Sequence, residues 1–371
     1  MPKDFNYWKK QHDSEELKEF NYDKLGTLWL KVKSIVRRKY INTFTQVNKI
    51  SLKNRKLTPQ FKELYEILCL DPANSHKHLN TFIINQNSIE LKKIDVEKLI
   101  QELYKVQNFK WGADNQNDLG KYLVKKYVKD NISYDFLTQQ MEKSVLGTVQ
   151  DYLICTWYNH WTSILIEHIF KSHNLVLPTV GKIKSVDFFI NEIPFDLKVT
   201  HLPENFVAKQ RKLAGLVKEE LSVLKKAAKE AKIKFSNKDT NLYYSLYKQL
   251  GDIGGKSLEI VEEIKDFRLN LIDKIKKDPL ILAKNLYEEQ SDFRFGAENR
   301  IFLILVNRDN FEQSWELKRN IHSLKPTIHK YLDDFKKKRI SDLELEFYKN
   351  DDPIKNPKKY QVLTDVIVIE K

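Results

Sequence analysis

Asp187, Asp196 and Lys198 have the types and the spacing to handle a phosphate, and all three fall in one short stretch, SVDFFINEIPFDLKVT, residues 185–200. Apolar and β-branched residues flank Asn191-Glu192 on both sides, which predicts a β-hairpin turning at that pair. Side chains alternate faces along a strand. Val186, Phe188 and Ile190 therefore share one side of the first strand, and Ser185, Asp187 and Phe189 the other. On the second strand Ile193, Phe195, Leu197 and Val199 form an apolar face, leaving Pro194, Asp196, Lys198 and Thr200 opposite. With Asn191 and Glu192 at the centre of a tight turn, Ile190 pairs with Ile193 and Asp187 falls directly across from Asp196. Opposed residues have Cβ atoms about 4.5–5.5 Å apart. Two carboxylates that close disfavour joint ionisation, and a divalent cation between them removes the conflict.

The elements that must hold this hairpin follow from periodicity. A helix over 148–171 (TVQDYLICTWYNHWTSILIEHIFK) precedes it, with Leu153, Trp157, Trp161, Ile164, Leu165 and His168 forming an apolar stripe. A short strand over 174–179 follows, and Gly181 turns the chain into the hairpin. Residues 204–235 carry nine basic and four acidic residues in a helical composition, and further helices are expected over 242–248, 258–276 and 279–289. The run RIFLILVN, 300–307, reads as a strand buried on both faces. A helix over 311–335, interrupted near Pro326, and a β-rich run over 365–370 close the chain. Residues 1–144 read as mostly helical, over 15–20, 25–40, 59–69, 96–106 and 118–128, with a loop at 111–115. Thr58-Pro59 offers a helix cap and first turn, and 79–91 is ambiguous between a helix and a strand pair. The expected fold is α/β: a mixed central sheet flanked by helices. A helical N-terminal domain over 1–144 precedes the second domain, 145–371, which carries a large helical insertion over 204–296.

The chain has 371 residues, enough for a large core, and 41% hydrophobic content with 20 Phe, 17 Tyr and 6 Trp. Such a composition excludes a disordered chain. Lys and Arg outnumber Asp and Glu by 64 to 51, a net charge of +13, which favours a polyanionic partner. Between Asp23 and Glu63 there are eleven basic residues and no acid, interleaved with Trp29, Tyr40 and Phe44, as expected of a phosphate-tracking surface. The alternative is a solvated helix face. Arg37, Arg38 and Lys39, and the group Lys209, Arg211 and Lys212, are the candidate DNA contacts by charge. No signal-peptide pattern or apolar window of about 18 residues occurs, so a soluble, cytoplasmic protein with no membrane partner is expected. Cys69 and Cys155 fit no disulfide or zinc pattern. His76, His78, His160 and His168 lack further ligands at metal spacing and read as structural. Gly251 to Ser257 ends in Gly-Lys-Ser but lacks the strand and first glycine of a phosphate loop, and reads as a loop.

Asp187 followed, after eight intervening residues, by Asp196-Leu197-Lys198 resembles the PD-(D/E)XK signature of restriction-endonuclease-like nucleases. The resemblance implies that Asp187, Asp196 and the backbone carbonyl of Leu197 hold Mg²⁺, and that Lys198 activates or positions water. It also implies a glutamate on the preceding helix, where Glu167 is the only acid between Asp151 and Asp187. Val186 replaces the proline of the pattern, and some ninety residues separate the hairpin from the next core strand. The tripeptide is common here: Glu16-Leu17-Lys18, Glu90-Leu91-Lys92, Glu230-Ala231-Lys232, Glu263-Ile264-Lys265, Glu316-Leu317-Lys318 and Asp334-Phe335-Lys336 also match acid-x-Lys. Only Asp196 has apolar strand neighbours on both sides and an aspartate in register. The stretch 287–300 is similar to restriction enzymes too, without an assigned role. The family implies cleavage of double-stranded DNA by a homodimer with one site per strand. Two alternatives stay open: an inactive nucleic-acid-binding protein with a nuclease-like core, and a structure-specific repair or RNA-processing nuclease.

Overall fold

An antiparallel meander of β1 (Val176–Ile183), β2 (Val186–Ile190) and β3 (Ile193–His201) opens the sheet that carries the site. β4 (Arg300–Val306) lies parallel to β3 and is buried along its whole length, as its unbroken apolar run requires. β5 (Ser341–Phe347) and β6 (Lys358–Glu370) complete the sheet: β6 runs parallel to β4 and β5 antiparallel to β6, giving the order β1-β2-β3-β4-β6-β5. The coarse α/β class read from the sequence is thus observed. β5 was not expected, and β6 extends further back than the run at 365–370. This computed structural model describes residues 3–14, 16–109, 138–237, 239, 241–289, 298–335, 340–347 and 358–371. The loop expected at 111–115 and the helix at 118–128 lie outside them, as does part of 287–300.

Helices α1 (Phe5–Asp13), α2 (Lys24–Ser34), α3 (Arg38–Val47), α4 (Leu57–Leu68), α5 (Pro72–Leu91) and α6 (Val96–Tyr104) fill the N-terminal part. Trp8, Phe20, Leu28, Trp29, Phe44, Leu64 and Leu79 are buried there in one cluster with Leu177, Ile183, Val186 and Phe189 of β1 and β2. The N-terminal helices therefore share a core with the hairpin. Burial of each such aromatic or leucine contributes roughly 1.5–3 kcal/mol.

Several local expectations need correction. The ambiguous 79–91 is helix throughout, because Asp71 caps α5 by accepting from the Asn74 amide at 3.2 Å and Pro72 opens its first turn. α4 starts at Leu57, so Lys56 rather than Thr58 holds the cap position. The helix expected over 25–40 is two, α2 and α3, broken at 35–37. Gly181 sits inside β1, not at a turn: a Cβ there would meet the Ser34 carbonyl oxygen at 2.3 Å. The chain reverses instead at Ser185, whose φ is 65°.

α7 (Leu146–Lys171) leads into the sheet, and α8 (Glu204–Leu213), α9 (Glu220–Glu230), α10 (Leu242–Ile253), α11 (Gly255–Lys277) and α12 (Leu280–Glu288) occupy the stretch between β3 and β4. α13 (Ile321–Phe335) follows a 3₁₀ segment, Phe311–Arg319. It runs through Pro326. The break falls at Asn320, whose side chain accepts from the Ser323 amide at 3.1 Å and caps α13. α7 and α13 cover one sheet face, where Ile166, Ile169, Phe170, Ile328 and Leu332 meet Phe188, Phe195, Leu303 and Leu305. α8, α11 and α12 cover the other over Phe302, Ile304 and Val306. The buried stripe of α7 is Cys155, Tyr158, Thr162, Leu165, Ile166, Ile169 and Phe170. Leu153 and Trp157, expected inside, are 59% and 39% exposed among the described residues, since the sheet meets only the C-terminal half of the helix. The glycines at 251–255 form no loop of their own: Gly254, at φ 77°, joins α10 directly to α11. Leu224, Leu246, Leu250 and Ile264 of α9 to α11 form a separate buried cluster.

Candidate active site

Asn191 and Glu192 take φ of 50° and 70°, the left-handed pair of a two-residue hairpin turn. Ile190 pairs with Ile193 and Phe188 with Phe195, the register expected from the sequence; the ladder ends there, and Asp187 and Asp196 follow as the next residue outward on each strand. The face they share is polar only at its open end. Phe189 and Pro194, one step nearer the turn, are buried, Phe189 in the N-terminal cluster.

Asp187 Oδ2 accepts the Leu197 amide at 2.8 Å. An extended residue directs its N–H and C=O to the same edge, so the Leu197 carbonyl also faces the Asp187 side. Burial, and then the charge of Asp196, push the Asp187 carboxyl up to about 6, against the Leu197 hydrogen bond and Lys198. Asp196 is 7% exposed. Lys198 Nζ lies 3.1 Å from its Oδ1 and 2.9 Å from its Oδ2, and its own side chain is 45% exposed. The amine therefore touches the carboxylate while facing solvent, where a substrate can reach it.

Glu167 projects from the last turns of α7. Its charge adds to the upward push on Asp187, but its Oε2 accepts from Lys171 Nζ at 2.6 Å. It lines a cleft of about 300 Å³ with Glu90, Lys93, His168, Lys171 and Thr179, and the Thr179 hydroxyl donates to the Asp187 carbonyl at 2.9 Å. Asp187, Asp196 and Lys198 are thus brought together, with Glu167 close by and held by its own lysine.

Sequence reasoning missed Arg300, Glu298 and Ser185. Arg300 opens β4 in parallel register with Asp196 and is 2% exposed. Its Nε stands 3.3 Å from Asp196 Oδ2 and its Nη2 donates to Glu298 Oε2 at 3.3 Å. Glu298 Oε1 accepts from Ser185 Oγ at 2.8 Å, tying β4 to the turn just before Asp187. The available signal was an arginine at the head of an apolar strand, a charge that burial obliges to find a partner.

The basic residues divide. Arg37, Arg38, Lys39, Lys209 and Lys212 are exposed. Arg211 is 1% exposed and donates from Nε to the Val217 carbonyl at 2.9 Å, so it braces the α8–α9 connection and does not face a ligand. The acid-free stretch is no uniform surface either, because Trp29, Tyr40 and Phe44 are core residues. Lys31, at 0% exposure, donates to Glu192 at the hairpin tip and lies 3.0 Å from His76 Nδ1, while Asn80 Nδ2 donates to the same carboxylate at 3.3 Å.

Opposed carboxylates with Asp187 driven toward protonation, beside a backbone carbonyl, make an all-oxygen donor set that suits a hard ion such as Mg²⁺. Among the described residues, no group of three or more His, Cys, Asp and Glu side chains gathers closely enough to hold a metal alone. Comparisons with protein-family models, curated proteins and solved structures find no match for this chain. No helix among the described residues is long and apolar enough to cross a membrane.

Proposed function

We propose that the chain is a Mg²⁺-dependent endonuclease that hydrolyses phosphodiester bonds of double-stranded DNA. We read it as a cytoplasmic restriction enzyme of the PD-(D/E)XK type, cutting as a homodimer. The observation that carries this reading is the proximity of Asp187 to Asp196 across the hairpin, with the Lys198 amine against Asp196. Helix α7, the antiparallel hairpin and the parallel β4 also follow the order of elements that the resemblance implies.

Asp187, Asp196 and the Leu197 carbonyl would bind the ion, with Glu167 reaching it through water. When bound, Mg²⁺ supplies positive charge to the phosphate and acidifies water. Lys198, half exposed, orients the attacking water and donates to the non-bridging phosphate oxygen as charge develops there. Arg37, Arg38, Lys39, Lys209 and Lys212 contribute phosphate contacts.

A second reading is a nucleic-acid-binding protein with an inactive nuclease-like core, favoured by the hold of Lys171 on Glu167. Incubating the chain with plasmid and phage DNA and Mg²⁺ separates the two: discrete bands support the proposed enzyme. Salt-sensitive binding without nicking under any divalent ion supports the inactive core. Preference for forks or RNA points to a repair or processing nuclease.

A further inference from the structure

Protein cations already stand against Asp196 and Glu167, and one of them, Lys198, lies with Nζ 2.9 Å from Asp196 Oδ2. Arg300, 2% exposed, stands with Nε 3.3 Å from Asp196 Oδ2, on the side of β3 away from Asp187. On the other flank, Lys171 Nζ is 2.6 Å from Glu167 Oε2. Arg300 is fixed from behind, because Glu298 takes its Nη2 at 3.3 Å and its guanidinium lies 5.1 Å from the centre of the Tyr287 ring. Glu298, 6% exposed, is in turn held by Ser185, and the Tyr287 hydroxyl donates to its carbonyl at 2.9 Å. A guanidinium so clamped does not swing aside.

We infer that Arg300 holds the β4 side of Asp196, a buried cation in addition to the half-exposed Lys198 amine on the same carboxylate, so that the chain takes one divalent ion and not two. The inference rests on the metal-site reading above and goes beyond it by fixing the stoichiometry and by making Arg300 and Glu298 positioning residues with opposite effects. A second ion bridging Asp196 from the β4 side would stand against a buried positive charge, and like charges in that setting repel strongly. Removing the Arg300 charge should therefore open the second position. Removing the Glu298 charge should leave more of the Arg300 charge to Asp196 and weaken the first ion.

Counting bound ions on the full chain tests this, with Mn²⁺ followed by electron paramagnetic resonance and Ca²⁺ by calorimetry. The expected results are one ion per wild-type chain, two for Arg300→Gln, one for Arg300→Lys, and for Glu298→Gln one ion held on the order of tenfold more weakly. Two ions on the wild-type chain would overturn the inference and leave the metal site standing. Absence of any site that Asp196→Asn abolishes would remove the metal site itself. The wild-type count needs no variant to fold. Arg300→Gln and Glu298→Gln shifting affinity in the same direction would mean that they act only through structure, and would also overturn the inference.

Discussion

The Asp187 carboxylate reaches across the hairpin to accept the Leu197 amide at 2.8 Å, so the first acid is bonded to the strand that carries the second. The two carboxylates are thereby held as a unit, in a setting where they repel each other. Asp187 is the member that yields, its carboxyl pushed up to about 6 by burial and by Asp196.

This shift has a sign in stability. The folded chain keeps the Asp187 proton to about pH 6, whereas an unfolded aspartate releases it near 3.9. Without metal, the unfolded state therefore binds fewer protons between about pH 4 and 6, and stability falls as pH rises through that window. Asp187→Asn should raise the melting temperature of the metal-free protein at pH 7 and change it little at pH 4, worth on the order of 1 kcal/mol. Thermal scans at both pH values check this; an equal shift at both would remove the carboxylate repulsion as its cause.

Substitution at the site should separate chemistry from affinity. Asp187→Ala, Asp196→Ala and Lys198→Ala are each expected to lower Mg²⁺-dependent cleavage by at least ~100-fold. Binding of DNA at fixed salt should change little. A variant that cuts at the wild-type rate would have no part in the mechanism.

The basic residues should divide as their burial does. Charge removal at Arg37, Arg38, Lys39, Lys209 or Lys212 should flatten the salt dependence of DNA binding by roughly one unit of slope per lost phosphate contact. Arg211→Gln should leave that slope alone and instead destabilise the chain by about 1–3 kcal/mol, through the lost bond to Val217. Filter-binding titrations across salt, paired with urea denaturation, make the distinction.

The clasp at the hairpin tip should be asymmetric. Glu192→Ala strands the fully buried Lys31 without its carboxylate and should cost about 3 kcal/mol. Lys31→Met leaves a carboxylate that is 51% exposed and able to hydrate, so its loss should be nearer ~1 kcal/mol. Urea denaturation of both variants reads the order, and the reverse order would show that the lysine carries no charge there.

The hairpin was legible near its turn because the register there depends on local facts alone, two turn residues and a period of two from Phe188 onward; Val186, expected on the face of Phe188 and Ile190, instead packs with Phe189 in the N-terminal cluster. Arg300 was not, because only the parallel pairing with β3, more than a hundred residues earlier, sets it beside Asp196. The acid-free stretch misled for a related reason. Lys31 reads as surface charge until the tip of the hairpin, 161 residues away, supplies its counter-ion. Gly181 reads as a turn residue, yet what requires glycine is the Ser34 carbonyl of α2 pressed against strand β1. β5, reading SDLELEF, does alternate, but its short polar-apolar pattern also fits a loop edge until β6 pairs with it.

Leu224, Leu246, Leu250 and Ile264 close a small core of their own inside the long excursion between β3 and β4. Substitutions confined to that cluster should therefore be absorbed within α9 and α10, whereas α8, α12 and the C-terminal half of α11 are bound to the sheet that presents the two aspartates.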